Sequence, residues 1–175
     1  MGKARILKVL MLKFSRPVIG FAVIAGTITL AGCTQAEPEP PRTQDVTLYF
    51  YSQSDLRNAT FDDPVAVTRT VSGTGAVAMD AALTLLFAGP TKAEKVEGAL
   101  ISDDLQALAP LYLGVWQEGA TIVVNFDAEA LTVLNSAAAR QFMAKEPMRQ
   151  TLLQFEGIED VEYAINGEIF TEWDA

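Results

Sequence analysis

Along VTLYFYS (46–52), Val46, Leu48 and Phe50 alternate with Thr47, Tyr49 and Tyr51. A period of two places successive side chains on opposite faces of a β-strand, so this stretch predicts a strand with large residues on both faces. PVAVTRTVS (64–72) repeats the period, with Val65, Val67 and Val71 set against small polar residues. The connection between them, 53–63, is long and polar and reads as a surface loop suited to meeting a partner. From Ala76 the period changes. Met79, Ala82, Leu83, Leu86 and Phe87 recur at helical spacing and predict a helix over 76–90 that faces a sheet. Gly89-Pro90 stops it, and Thr91-Lys92-Ala93-Glu94 spells a capping box that opens a short helix ending near Gly98.

The second half repeats the theme. LAPLYLGVWQEGATIVVNFD (108–127) predicts two strands around a turn at Glu118-Gly119, with Leu111, Leu113, Val115, Ile122, Val124 and Phe126 as core positions. Asp127 is placed to cap a short helical piece reaching Leu134. A longer helical segment follows Asn135-Ser136 and runs to Phe155, with Met148, Leu152 and Phe155 on one face. Pro147 within it either kinks that helix or opens a second one at its first turn. DVEYAINGEIF (160–170) predicts a hairpin, because Asn166-Gly167 suits a two-residue type I′ turn. The order β-β-α-β-β-α-β-β, with an extra short helix after the first long one, predicts a single small α+β domain. Its sheet is largely antiparallel, with helices packed on one face.

The N-terminus is built differently. Lys3, Arg5, Lys8, Lys13 and Arg16 precede an uncharged apolar run from Pro17 to Gly32, and no acidic residue comes before Glu37. A basic stretch followed by a short apolar one is the pattern of a secretory signal, assigned here to residues 1–32. The run is short for a spanning helix, which needs roughly 20 apolar residues. Without this leader, 8 basic and 22 acidic residues remain, a net charge of −14. Such a surface excludes nucleic acid as a partner, since phosphates require Lys and Arg. It admits a basic partner or simple solubility.

The chemistry-bearing residues narrow the field further. The sequence has no histidine and one cysteine, Cys33. Ser-His-Asp and Cys-His sites are therefore absent, and so is a disulfide within the chain. No phosphate-binding glycine motif stands at a strand-to-helix turn. Asp62-Asp63 and Asp103-Asp104 are adjacent pairs whose side chains diverge, which suits solvated loop charge better than acid–base chemistry. No catalytic residue, metal ligand or cofactor is expected. Gly89-Pro90-Thr91 reads either as an anion site at a helix start or as a helix stop and start back to back. Trp116 and Trp173 are the candidates for stacking on a glycan or small ligand, against the plainer reading of core or rim packing.

Two resemblances add to this reading. Leu30-Ala31-Gly32-Cys33 resembles a bacterial lipobox. The resemblance implies cleavage between Gly32 and Cys33, lipid attachment at Cys33, and an extracytoplasmic protein held on a membrane. Residues 33–44, with Pro38, Pro40 and Pro41, then form a tether about 30 Å long at ~3.1 Å per residue. Residues 45–175 form the domain. Within it, LYFYS, ALTLLFAGPTKAEKVEGALIS, GATIVVNFDAEAL and LLQFEGIEDVEYAINGE together resemble the GerMN domain of spore-germination GerM-like lipoproteins, across roughly residues 45–172. That resemblance implies a small α+β domain and a non-enzymatic envelope role related to sporulation or germination. It also implies a protein partner or self-assembly in the cell envelope. The alternative is a lipoprotein that binds cell-wall glycan or a small ligand.

Overall fold

The computed structural model describes residues 42–170. The leader, Gly32, Cys33, most of the tether and Trp173 lie outside those residues. Strands β1 (Thr43–Phe50) and β2 (Val65–Ser72) pair antiparallel in unbroken register from Thr43↔Ser72 to Phe50↔Val65. The predicted alternation is present: Val46, Leu48 and Phe50 are buried, while Ala66, Thr68, Thr70 and Ser72 are exposed. The connection is more ordered than its polarity suggests. Its first half forms helix α1 (Gln53–Asn58), capped by Ser52, with Asp55 completing a capping box at N3.

The outer edge of β1 is covered from the far end of the chain. The side-chain amide of Gln154 accepts from Thr47 N at 2.7 Å and donates to Thr47 O at 2.6 Å. A primary amide thus imitates the peptide group of a neighbouring strand. Tyr49 N donates to Thr151 Oγ1, and Tyr51 exchanges backbone hydrogen bonds with Leu100 at 2.9 and 2.8 Å.

The remaining strands form a second sheet, so the strands divide between two sheets. β3 (Tyr112–Glu118), β4 (Thr121–Phe126), β5 (Asp160–Ile165) and β6 (Glu168–Ile169) lie in sequence order. β3–β4 and β5–β6 are antiparallel hairpins. β4–β5 is parallel, which requires the long helical crossover between them. Asn166 (φ 50°) and Gly167 (φ 86°) make the left-handed pair of a type I′ turn. One expected core position is corrected. Leu113 is 55% exposed, because the register shifts between Tyr112 and Gly114. A bulge inserts a residue and reverses the alternation. Tyr112 takes the inward place, 5.0 Å from the Phe87 ring and 5.9 Å from Phe126.

The helices fill the space over these sheets. α2 (Ala76–Phe87) buries Met79, Ala82, Leu83, Leu86 and Phe87, the face its spacing predicts. α3 (Lys92–Val96) opens on the expected Thr91/Glu94 box. α4 (Asp103–Leu108) is capped by Ser102. Asp127 caps a single 3-10 turn that leads into α5 (Leu131–Leu134). α6 (Ala138–Leu152) continues through Pro147 as one helix and ends before Phe155. Leu48, Leu83, Leu105, Phe126, Leu134 and Met148, drawn from both sheets and four helices, share one core.

Pro147 has no N–H to offer the carbonyl of Met143, four residues back. That carbonyl is not left bare. The buried hydroxyls of Ser102 (2.8 Å) and Tyr51 (3.1 Å) both donate to it. The residue that breaks the helical ladder therefore creates the acceptor through which α6 holds α4 and the end of β1.

Candidate interaction surface

Most of the side chains with unusual surroundings serve to hold the chain. Arg69 stands on the inward side of β2, between Val67 and Val71. Its guanidinium donates to Leu85 O (3.2 Å), to Gly89 O (3.0 Å) and to both oxygens of Glu94. Glu94 in turn accepts from Thr91 N at 2.6 Å. The hydrogen bonds from Arg69, acting against burial and joined by those from Thr91, hold the Glu94 carboxyl below its usual pKa. The Gly89-Pro90-Thr91 turn is thus a helix stop and start, locked by one arginine. Sequence reasoning passed over Arg69. The available signal was a charge at an inward strand position, which requires a partner.

Asp55 organises the α1 turn. It is 1% exposed and accepts from Ser52 N and Oγ on one oxygen, and from Thr60 Oγ1, Asp62 N and Asp63 N on the other. Burial pushes its carboxyl pKa up. The hydrogen bonds from Ser52, Asp63 and Asp62 together outweigh burial and bring it below the ordinary value. The Asp62-Asp63 pair therefore contributes its amides here. Asp104 of the other pair is bound by Arg140 at 2.8 Å.

Two surfaces remain near the sequence candidates. A cleft of about 310 Å³ lies between Leu56, Ile101, Ser102, Asp103, Asp104 and Met143. Trp116 is half-buried opposite Val123, on the face of the second sheet turned away from Ile122, Val124 and Phe126. Its indole N–H donates to Glu118 Oε1 at 2.7 Å. Among the described residues, no group of three acidic or cysteine side chains is placed to hold a metal ion.

The sheet edges differ sharply from one another. An open edge presents unpaired N–H and C=O groups to any extended chain, and proteins usually blunt it. β1 is covered by Gln154, Thr151 and Leu100. β3 is bent by its bulge, and β6 is two residues long. β2 has no cover, bulge or short length, and its one blunting device is the inward charge of Arg69. It runs eight residues without a bulge or an internal proline, and its one charge, Arg69, is turned inward and paired. The backbone phase follows from β1. Thr47, Tyr49 and Tyr51 turn their amides away from β2, so Val46, Leu48 and Phe50 turn theirs toward Arg69, Val67 and Val65. The amides of Ala66, Thr68, Thr70 and Ser72 consequently point outward. All four residues are exposed, and no described backbone group pairs with that edge.

A family model for sporulation and spore germination, Germane, matches residues 47–170. Among solved structures, the tandem GerMN domains of the sporulation protein GerM from Bacillus subtilis are 19% identical. That match covers 72% of this chain and 40% of the other, with a TM-score of 0.49. The chain therefore spans less than half of that tandem-domain protein. A Clostridium perfringens protein described as a lipoprotein is 18% identical over 75% of this chain and 80% of its own, with a TM-score of 0.44. No curated protein matches.

Proposed function

The chain belongs to the Germane family of sporulation and spore germination, whose model spans residues 47–170, and from that premise we propose that it is a non-catalytic, lipid-anchored envelope protein that works by binding protein. The observation that carries this reading is the open edge of β2. Four outward residues in a row offer donors and acceptors in strand phase, which suits an added strand. The anchor rests on the Leu30–Cys33 pattern at the end of the apolar run. Among the described residues no helix is long and apolar enough to cross a membrane. The anchor also places the protein on the extracytoplasmic side.

The test is crosslinking in cells, comparing the native chain with Thr68→Pro and with Cys33→Ala. Proline at an edge position removes one outward donor and leaves β1–β2 pairing intact. Recurrent adducts that fade in both variants support the reading. Adducts indifferent to Thr68→Pro would remove β2 as the contact. A labelled lipid that fails to mark the native chain would remove the anchor. The second reading, a glycan or small-ligand binder, rests on the outward, half-exposed ring of Trp116. It requires peptidoglycan fragments to raise the melting temperature of the native chain and not of Trp116→Ala.

A further inference from the structure

The outer face of the second sheet sets an aromatic ring and a carboxylate in one row. We propose that this face docks a basic protein segment, with an arginine or lysine of the partner laid on the ring of Trp116 and bonded by the carboxylate of Glu162. The proposal shares with the reading above only that the chain binds protein, and it is independent of the edge of β2.

Strand pairing sets the row. Trp116 on β3 faces Val123 on β4, and Val123 faces Glu162 on β5. Paired residues project to the same side of a sheet. Their neighbours along the strands, Ile122, Val124, Val161 and Tyr163, belong to the core on the other side. Two strand spacings separate Trp116 from Glu162, about 10 Å. Val123 is fully buried, so the row is a surface and not a pocket, and a cation would lie on the ring with the glutamate beside it. The ring attracts a cation through its π face, and the carboxylate adds charge-assisted hydrogen bonds. The indole is already held, because its N–H donates to Glu118 Oε1 at 2.7 Å, so less freedom is lost on binding. Glu118, Thr121 and Asp160 form the next row, ~7 Å along the strands. Both of its carboxylates are exposed, so the face suits basic residues spaced two apart in an extended segment.

The distribution of charge selects the occupant. No lysine or arginine falls between Lys95 and Arg140 or after Arg149, and all four strands of the second sheet lie within those two stretches. The charged residues of these strands, Glu118, Asp160, Glu162 and Glu168, are all acidic and all exposed. A face of one sign speeds and orients the approach of a basic partner and repels anionic polymers and anionic lipid. A neutral sugar could stack on the ring but gains nothing from this segregation of charge. The same sheet of a second copy offers it no base.

The experiment uses the full chain in neutral detergent and a labelled Gly-Arg-Gly-Arg-Gly peptide, read by fluorescence anisotropy. A counterpart with citrulline in place of arginine keeps the shape and loses the charge. The arginine peptide should bind, less tightly as salt is added, and the citrulline peptide should not. Trp116→Leu leaves every charge in place and should weaken binding about two- to fivefold. Trp116→Phe keeps a ring and should fall between. Glu162→Gln should weaken binding by a similar factor. Glu97→Gln, an equal loss of charge at the exposed end of α3, should not. Melting temperatures show that each variant is folded, and the exposed Glu162→Gln carries the test if Trp116→Leu is not. No binding of the arginine peptide, or equal binding of the citrulline one, overturns the proposal. Equal weakening by Glu162→Gln and Glu97→Gln, with Trp116→Leu unaffected, overturns it in favour of diffuse acidity. Peptidoglycan fragments that raise the melting temperature through Trp116 while the arginine peptide fails to bind overturn it in favour of a glycan. Cellular adducts lost in Thr68→Pro but intact in Glu162→Gln and in Trp116→Phe overturn this face and leave the protein-binding reading standing.

Discussion

Tyr51→Phe removes one of the two hydroxyls on the Met143 carbonyl without changing the shape of the buried ring. One net hydrogen bond is worth about 0.5–1.5 kcal/mol, so this variant should lose roughly 1 kcal/mol, about 4 °C in a domain of this size. Ser102→Ala removes the other donor and also the N-cap of α4, where Ser102 Oγ accepts from Leu105 N at 3.1 Å. It should lose about 2 kcal/mol. After either single change the carbonyl keeps one partner. After both it is buried and bare, which carries a further penalty of about 1–3 kcal/mol. The double variant should therefore be less stable than the sum of the singles by about 1 kcal/mol or more. Pro147→Ala supplies the missing N–H to the same carbonyl. Repeating the cycle in that background should reduce the coupling to near zero. The assay is urea unfolding of Glu39–Ala175, which is one compact unit, with stabilities compared within each background. Additive losses with Pro147 present, or equal coupling in the Pro147→Ala background, would refute the role given to the proline.

Four further outcomes can be measured on the same domain. Arg69→Met leaves Glu94 and two carbonyls without their shared donor and should cost about 2–4 kcal/mol, somewhat less than a fully buried pair because each side chain is 15% exposed. Because the Glu94 pKa is depressed in the folded state, its contribution is present above the ordinary carboxylate range and is lost as pH falls through the folded value. Glu94→Gln should therefore flatten the acid limb of a stability–pH curve. Ala59 ends α1 in the left-handed region at φ 53°, so Ala59→Gly should gain about 0.5–1 kcal/mol, read by thermal melting. Lys145 packs with its ammonium 5.5 Å from the centre of the Tyr163 ring, and burial lowers its pKa to about 8. Below pH 8 the folded state holds a half-buried ammonium, bonded to Gln141 Oε1 at 3.2 Å, that the unfolded state solvates fully. Stability from this group should rise from pH 8 toward its unfolded value of 10.5, and Lys145→Met should abolish that rise.

Local chemistry was readable in the sequence wherever a period or a motif lay within one element. The alternation of β1 and β2, the inward face of α2, the Thr91/Glu94 box and the Asn166-Gly167 turn all stand in the fold as their residues predict. α1 was missed because its capping box uses Asp55 where Glu is usual and its six residues lie in a polar stretch. Leu113 was misplaced because a bulge is a property of two strands and leaves no mark on the spacing of one. Pro147 offered a kink or a new helix. The second helix is ruled out, since one helix runs through Pro147, and the way its freed carbonyl is taken up depends on hydroxyls 41 and 92 residues away. The edge of β2 was illegible for the same reason. A strand can be read from its own residues, but what lies beside it is decided by residues far along the chain.

The Gln154 fork has a mechanical consequence. The chain enters the domain at Thr43, so any pull on the preceding residues is delivered lengthwise to β1. That strand is bonded along one side to β2 and along the other to Gln154, Thr151 and Leu100. A load along it strains these bonds together, in shear, instead of peeling them one by one. The element where the chain enters the domain is thus the one best braced against force, and its brace is completed only when the last helix is in place.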